Sequence, residues 1–262
     1  MKPFKLAFLS LVSASLLAAC GGSNDDSFDD SFDDRADIAD PKLRFVHAAQ
    51  LAPAFTLFRN GAVEGNATGS AYTYASQYYD IGTGQTGLSL RLASNTGAVV
   101  EETAFAARRG NKYTLVALPS ADGADLLLID DPYNRSLTSN DARVRVVNAS
   151  VNASNVDVYL TAAGVDIAAV TPSIPAVPFK EPRPASTNDS IELAGGAYVL
   201  RITTAGTKSV IFTANVNFAQ NEDWLLLTLP TDGAGGVLPG AIKVLGAKAD
   251  DSTQASVEIV SQ

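Results

Sequence analysis

The chain has one cysteine and one histidine in 262 residues. No intramolecular disulfide can form, and a zinc site built from clustered His and Cys has no ligands to draw on. A Ser-His-Asp relay would have to run through His47 alone. Basic residues are few: 19 Lys and Arg stand against 28 Asp and Glu, for a formal charge of −9. That balance argues against nucleic acid and against direct adsorption to anionic lipid, both of which need basic patches. Long apolar runs are missing too. The one candidate, residues 6–17 broken by Ser10, Ser13 and Ser15, is too short for a hydrocarbon core that takes about 20 residues to cross. No stretch carries a helical period.

What is there begins with export. Lys2 and Lys5 precede that short apolar run, and small residues end it, the layout of a cleaved signal peptide over 1–19. Its end, Leu17, Ala18, Ala19 and Cys20, resembles the lipobox of bacterial lipoproteins. The resemblance implies acylation of Cys20 and cleavage just before it, and chains added there would hold the protein on a membrane. Gly21 after the cysteine implies, by the sorting rule of enteric-type lipoproteins, the outer membrane of a Gram-negative host. Residues 20–41 follow as an acidic tether, with Asp25, Asp26, Asp29, Asp30, Asp33, Asp34, Asp37 and Asp40 repelling one another. Calcium binding by the repeated "DDSF" is the alternative, although the turn glycine and closing glutamate of an EF-hand loop are missing.

Beyond the tether the sequence repeats itself. Arg44, Val46, Ala48 and Ala52 recur as Arg145, Val147, Ala149 and Ala153, "LSLRLA" around Arg91 matches "YVLRIT" around Arg201, and "KYTLVALPSADG" matches "DWLLLTLPTDG". The reading is two repeats, 42–140 and 141–262, the second carrying a Pro-rich insertion at 171–184 whose five prolines forbid a central strand. Short runs of β-branched and aromatic residues between Gly, Asn, Asp and Pro clusters predict an all-β chain of two tandem antiparallel β-sandwiches, immunoglobulin-like or transthyretin-like. Strands are expected at 42–48, 55–59, 72–79, 87–93, 99–106, 112–118 and 125–129. The second repeat offers 142–149, 156–160, 190–193, 198–203, 209–217, 223–229 and 241–245, with a final edge strand in "ASVEIVS".

The doublet also resembles the bacterial domain of unknown function 4397. Arg44, His47, Ala48, Pro53 and Phe58 carry the resemblance in the first copy; Arg145, Asn148, Ala149, Ser150, Asp157, Val158 and Tyr159 carry it in the second. The first copy departs at Gln50 and Thr56, where the family usually has proline and aspartate, and the second departs at Val151. The resemblance implies an envelope location and a β-sandwich; it implies no activity.

His47 falls on the strand face of Leu43 and Phe45, and its counterpart Asn148 falls beside Val144 and Val146. Both side chains donate and accept hydrogen bonds, so a shared structural task at the end of the first strand is expected, not catalysis. No catalytic residue, metal site or cofactor is assigned, and a paired-acid hydrolase is the least favoured reading. Tyr72, Tyr74 and Tyr78 share a parity along one extended run and are the candidate ligand-binding residues, together with the Pro-rich insertion. The function expected is a lipid-anchored, non-catalytic envelope protein that displays two sandwiches for adhesion or protein scaffolding. The alternative is a carbohydrate or small-ligand binder, with a glycan in place of an envelope protein as partner.

Overall fold

A computed structural model describes residues 39–133, 139–231, 236–249 and 255–262. The signal segment, Cys20 and the "DDSF" repeats lie outside the described residues. Of the segment read as a tether, the last residues are fastened to the body: Gly110 N–H donates to Ala39 O at 2.9 Å and Ile81 N–H to Pro41 O at 2.8 Å.

The fold is all-β. The first sandwich contains β1 (Lys42–His47), β2 (Phe55–Arg59), β3 (Ala62–Val63), β4 (Tyr79–Asp80), β5 (Gly84–Leu92), β6 (Asn95–Ala107), β7 (Lys112–Ser120) and β8 (Gly123–Asp131). The second contains β9 (Ala142–Asn148), β10 (Val156–Thr161), β11 (Ile174–Val177), β12 (Pro182–Arg183), β13 (Ile191–Leu193), β14 (Gly196–Thr204), β15 (Val210–Phe218), β16 (Asp223–Pro230), β17 (Ile242–Lys248) and β18 (Ser256–Ile259). Each sandwich has an inner and an outer sheet. The inner sheets run β4-β1-β7-β8 and β12-β9-β16-β17-β18, with β13 also on β9; the outer sheets run β3-β2-β5-β6 and β11-β10-β14-β15. The two topologies share the same central order, and the second sandwich adds β18 at the edge of its inner sheet and a second partner for β9. Within this antiparallel framework each inner sheet holds one parallel pair, β1 with β7 and β9 with β16.

Along the outer-sheet strand β5 every second residue from Thr86 to Leu90 is buried, the signature of a sheet with one wet face. Inner strands behave differently: β9 and β16 are buried at every position. Along β1, Leu43 and Phe45 enter the first core with Phe55, Leu57, Leu88 and Leu90, while Val46 points the other way. Along β16, Trp224 and Leu226 enter the second core with Val144, Val158 and Phe212, while Leu225, Leu227 and Leu229 turn toward Val46, Val116 and Leu118. The two inner sheets therefore pack on each other across a third core, making four layers. A side chain such as Leu227 contributes about 1.5–3 kcal/mol when fully buried, and parting the sandwiches would expose a row of them.

The packing has two-fold character. Arg44 of β1 reaches Ala247 O of β17 at 3.1 Å, and its counterpart Arg145 of β9 reaches Asp131 of β8 at 3.4 Å. Thus β1 faces β17 and β9 faces β8, as two subunits would across a two-fold axis along the strands.

Two expectations are corrected. The strand expected over 72–79 is not formed; the region reaches regular pairing only at β4. Thr73 sits in the left-handed region at φ 71 and breaks the extended run. Around it, Thr73 N–H bonds His47 O, His47 N–H bonds Tyr74 O, and the Ser76 hydroxyl accepts the N–H of Phe45. The repeat alignment also shifts at the third strand. Tyr159 pairs with Arg201, whereas its counterpart Phe58 pairs with Ser89, so Arg201 occupies the place of Ser89 and not that of Arg91. The offset is two residues, which keeps every side chain on its face.

The Pro-rich insertion supplies β11 and β12 at sheet edges, where a missing N–H does least harm. The insertion and the chain just after it cross the seam between the sandwiches. Thr187 N–H donates to Asp130 O at 2.7 Å, Ser186 Oγ accepts the Asp130 N–H at 2.9 Å, and Lys180 pairs with Asp125.

Candidate functional site

His47 and Asn148 end the first strands of the two repeats and perform the same task. Asn148 Nδ2 donates to Ser154 O at 3.0 Å; His47 Nε2 lies 3.1 Å from Pro53 O, the equivalent carbonyl. Each bond ties the strand end to the turn that follows. Their other atoms fare differently. Asn148 Oδ1 accepts from Thr228 Oγ1 at 2.7 Å and from Ser150 N at 3.2 Å. Ala117 stands in the place of Thr228 in the first repeat, and His47 Nδ1 has no side-chain partner. The ring is fully buried, stacked on Phe55 at 4.7 Å with Tyr72 edge-on at 6.3 Å. Burial pushes its pKa below the ordinary 6.5, against the pull of the Pro53 carbonyl.

Between the inner sheets lies a buried cluster of charge. Arg143 contacts Asp131 at 3.0 Å, Asp189 at 3.4 Å and Asp223 at 3.7 Å. Arg145 shares Asp131 and donates to the carbonyls of Pro184, Ala185 and Asn188. Lys112 stands 3.8 Å from the Tyr133 ring centre, and Arg44 lies 4.5 Å over Tyr78. Burial alone would raise the Asp131 carboxyl, but Arg143 and Arg145 outweigh it and hold it below the usual carboxylate range. The cluster holds the two sandwiches in register, since a charge here is tolerated only while its partner stays in place.

The three candidate tyrosines do not share a face. Tyr72 packs against the seam, its ring 5.4 Å from Lys243 Nζ of the second sandwich. Tyr74 packs on the rim of the first core and donates its hydroxyl to Asn66 O. Tyr78 lies under Arg44 with its hydroxyl 2.8 Å from Thr114 Oγ1. Burial raises the phenol pKa of all three.

The outer sheet of the first sandwich carries an open groove of about 490 Å³. The floor is small: Gly87 of β5 pairs with Ala104 of β6. Next to it runs a row across three strands, Phe58, Ser89 and Glu102, with Asn60 and Arg91 on the flanks. The Arg91 guanidinium lies 4.3 Å over the Phe58 ring, donates Nε to Ser89 Oγ at 2.9 Å and Nη1 to Thr96 O at 3.0 Å. Asn60 Oδ1 accepts the Gly87 N–H at 2.8 Å. Sequence reasoning did not find this groove, because its residues are unremarkable singly and come from three strands. The one signal available was Gly87, a glycine inside a strand.

The corresponding face of the second sandwich is closed. Lys208 Nζ lies 4.8 Å over the Tyr159 ring and donates to Tyr159 Oη at 3.0 Å, Ile167 O at 2.7 Å and Val170 O at 2.6 Å. Tyr159 is 1% exposed. Asp157 supports the cover by accepting the N–H groups of Ala176 at 2.7 Å and Gly206 at 2.8 Å. Among the described residues no group of three or more His, Cys, Asp and Glu is placed to hold a metal ion.

Residues 41–159 match DUF4397, a domain of unknown function. No curated protein matches the chain. Two solved streptococcal structures resemble it distantly. One, described as family 41 carbohydrate-binding modules recognising alpha-glucan, is 14% identical over 73% of this chain and 94% of its own, with a TM-score of 0.22. The other, described as an alpha-glucan-binding virulence factor, is 11% identical over 74% and 95%, with a TM-score of 0.25. Scores this low carry no weight for function.

Proposed function

We propose that this is a lipid-anchored, non-catalytic protein of the cell envelope, held by acylated Cys20 at the outer membrane of a Gram-negative bacterium. An acidic tether presents two sandwiches of the DUF4397 kind for adhesion or protein scaffolding. The observation that supports display is the third core: two sandwiches packed through doubly buried inner sheets form one body with two broad outer sheets. His47, the only imidazole, is buried in a bond that its non-titrating counterpart Asn148 also makes, which favours a structural role over catalysis. Mass spectrometry of the mature protein tests the anchor. The expected N-terminus is an acylated Cys20, and Cys20→Ser should move the protein from the membrane to the soluble fraction. An unmodified cysteine at an intact N-terminus would refute it.

The second reading is a binder of a small ligand or glycan, and the open groove beside Phe58 favours it. Its place is then the outer sheet of the first sandwich, while Tyr72, Tyr74 and Tyr78 serve packing.

A further inference from the structure

We infer that the groove beside Phe58 binds a neutral polyhydroxylated ligand, one or two pyranose rings of an uncharged oligosaccharide; this rests on the ligand-binding reading above. The groove falls within the roughly 300–1,000 Å³ of small-ligand sites.

Its chemistry is mixed in sign and held in place. Arg91 has two of its nitrogens committed to Ser89 and Thr96 and its plane fixed on Phe58, so Nη2 is left with donors on a rigid mount. Asn60 has its carbonyl oxygen committed to Gly87 N, which turns its NH2 group outward as a second donor. Glu102 is exposed across the strand pair from Ser89 and contributes an acceptor. No ion pair joins Arg91 to Glu102 among the described residues. An anionic ligand would meet the Glu102 carboxylate and a cationic one the Arg91 guanidinium. A hydroxyl both donates and accepts, so neighbouring hydroxyls on a sugar ring satisfy donors and acceptor together.

Gly87 supplies an independent argument. It has no left-handed backbone angle, and a Cβ added there would meet only Asn60 Oδ1, at 3.7 Å. Neither conformation nor internal packing requires glycine in the middle of β5, where it weakens the strand. What its absent side chain leaves is room for another molecule on the floor of the groove.

The test is a calorimetric titration of the full chain with cellohexaose, maltohexaose and mannohexaose, against a galacturonic acid hexamer and a glucosamine hexamer as the anionic and cationic probes. At least one neutral hexamer should bind more than about tenfold tighter than both charged ones. Gly87→Val, which fills the floor with a strand-favouring side chain, should weaken that binding by at least about tenfold without lowering the unfolding midpoint. Ala104→Val on the neighbouring strand and Glu102→Gln should weaken it in the same sense, and they stand in if the Gly87 variant fails to fold. Binding of a neutral hexamer that survives all three variants overturns the inference. A charged hexamer that binds best and is lost with Gly87→Val overturns the ligand class and leaves the ligand-binding reading standing. No binding by any of the five probes overturns the inference outright.

Discussion

The two sandwiches share one topology and treat their outer sheets in opposite ways. On the second, Lys208 lies on Tyr159 and is fixed by three oxygen acceptors, and the segment around Ile167 and Val170 closes over the ring. On the first, Arg91 lies on Phe58 but is fixed by only two acceptors from its own hairpin, and the sheet beside it stays open. The difference traces to two features. The second repeat has a longer connection after β10, enough chain to cover its own sheet, and it has Asp157 to fasten that chain at the Ala176 N–H and the β14–β15 turn at the Gly206 N–H. The first repeat has Thr56 in that place, and its hydroxyl takes one N–H, from Gly69 at 3.2 Å. One topology thus carries two different outer faces, one covered by its own chain and the other open.

The seam offers the sharpest way to break the comparison. Arg44 and Arg145 are related by the two-fold character of the packing, yet only Arg145 meets a carboxylate, Asp131, which Arg143 also uses. Asp131→Ala should lower stability by about 3–5 kcal/mol, because buried Arg145 loses its carboxylate partner and Arg143 loses the nearest of its three. Arg44→Met should cost clearly less, since Arg44 bonds neutral oxygens of Ala247 and Thr114. Urea unfolding of the two variants checks the order, and equal losses would show that the seam does not depend on Asp131.

A smaller effect is expected on opening the closed face. Lys208→Met removes the donor to Ile167 O and Val170 O and should cost about 1–2 kcal/mol. Hydrogen exchange at residues 167–170 should accelerate while the amides of β14 and β15 keep their protection. Unchanged exchange would mean that the cover is held by Asp157 alone.

The smallest concerns the strand ends and depends on pH. His47 is buried with its folded pKa below 6.5, so as pH falls through that value the unfolded chain takes up a proton that the folded chain refuses. Its share of stability is complete above about pH 6.5, the unfolded value, and declines as pH falls toward the depressed folded value. Transplanting the second repeat's solution, His47→Asn with Ala117→Thr, should remove this decline and leave only the carboxylate-dependent loss at lower pH. Parallel unfolding curves for the wild type and the double variant between pH 7 and 5 would refute it.

Much of the architecture was legible in the residues. The recurring arginine strands and the hydrogen bond shared by His47 and Asn148 were readable because each depends on local backbone chemistry, whereas the Pro-rich insertion, where no strand was expected, forms the edge strands β11 and β12. The runs "KYTLVAL" and "WLLLTL" held more than was drawn from them: an unbroken apolar strand signals burial on both faces, and here the second face is the other sandwich. The tyrosines at 72, 74 and 78 misled, since parity locates side chains only while the backbone stays extended, and Thr73 does not. The groove was invisible because its members come from the turn after β2 (Asn60) and from β5 and β6 (Gly87, Arg91, Glu102), and the β2–β5 pairing that brings Phe58 beside Ser89 differs by two residues from the register the repeat alignment implies.

Sequence alone determined that this chain makes strands, makes them twice, and carries a lipobox-like cysteine followed by an acidic run, since hydrophobic period, turn residues and charge runs act within a few residues of chain. Tertiary structure decided which sheet faces meet, which buried cations share Asp131, and which outer sheet is left open. Those outcomes depend on packing and hydrogen bonds between groups up to some 200 residues apart, as between Arg44 and Ala247, and no local pattern encodes them.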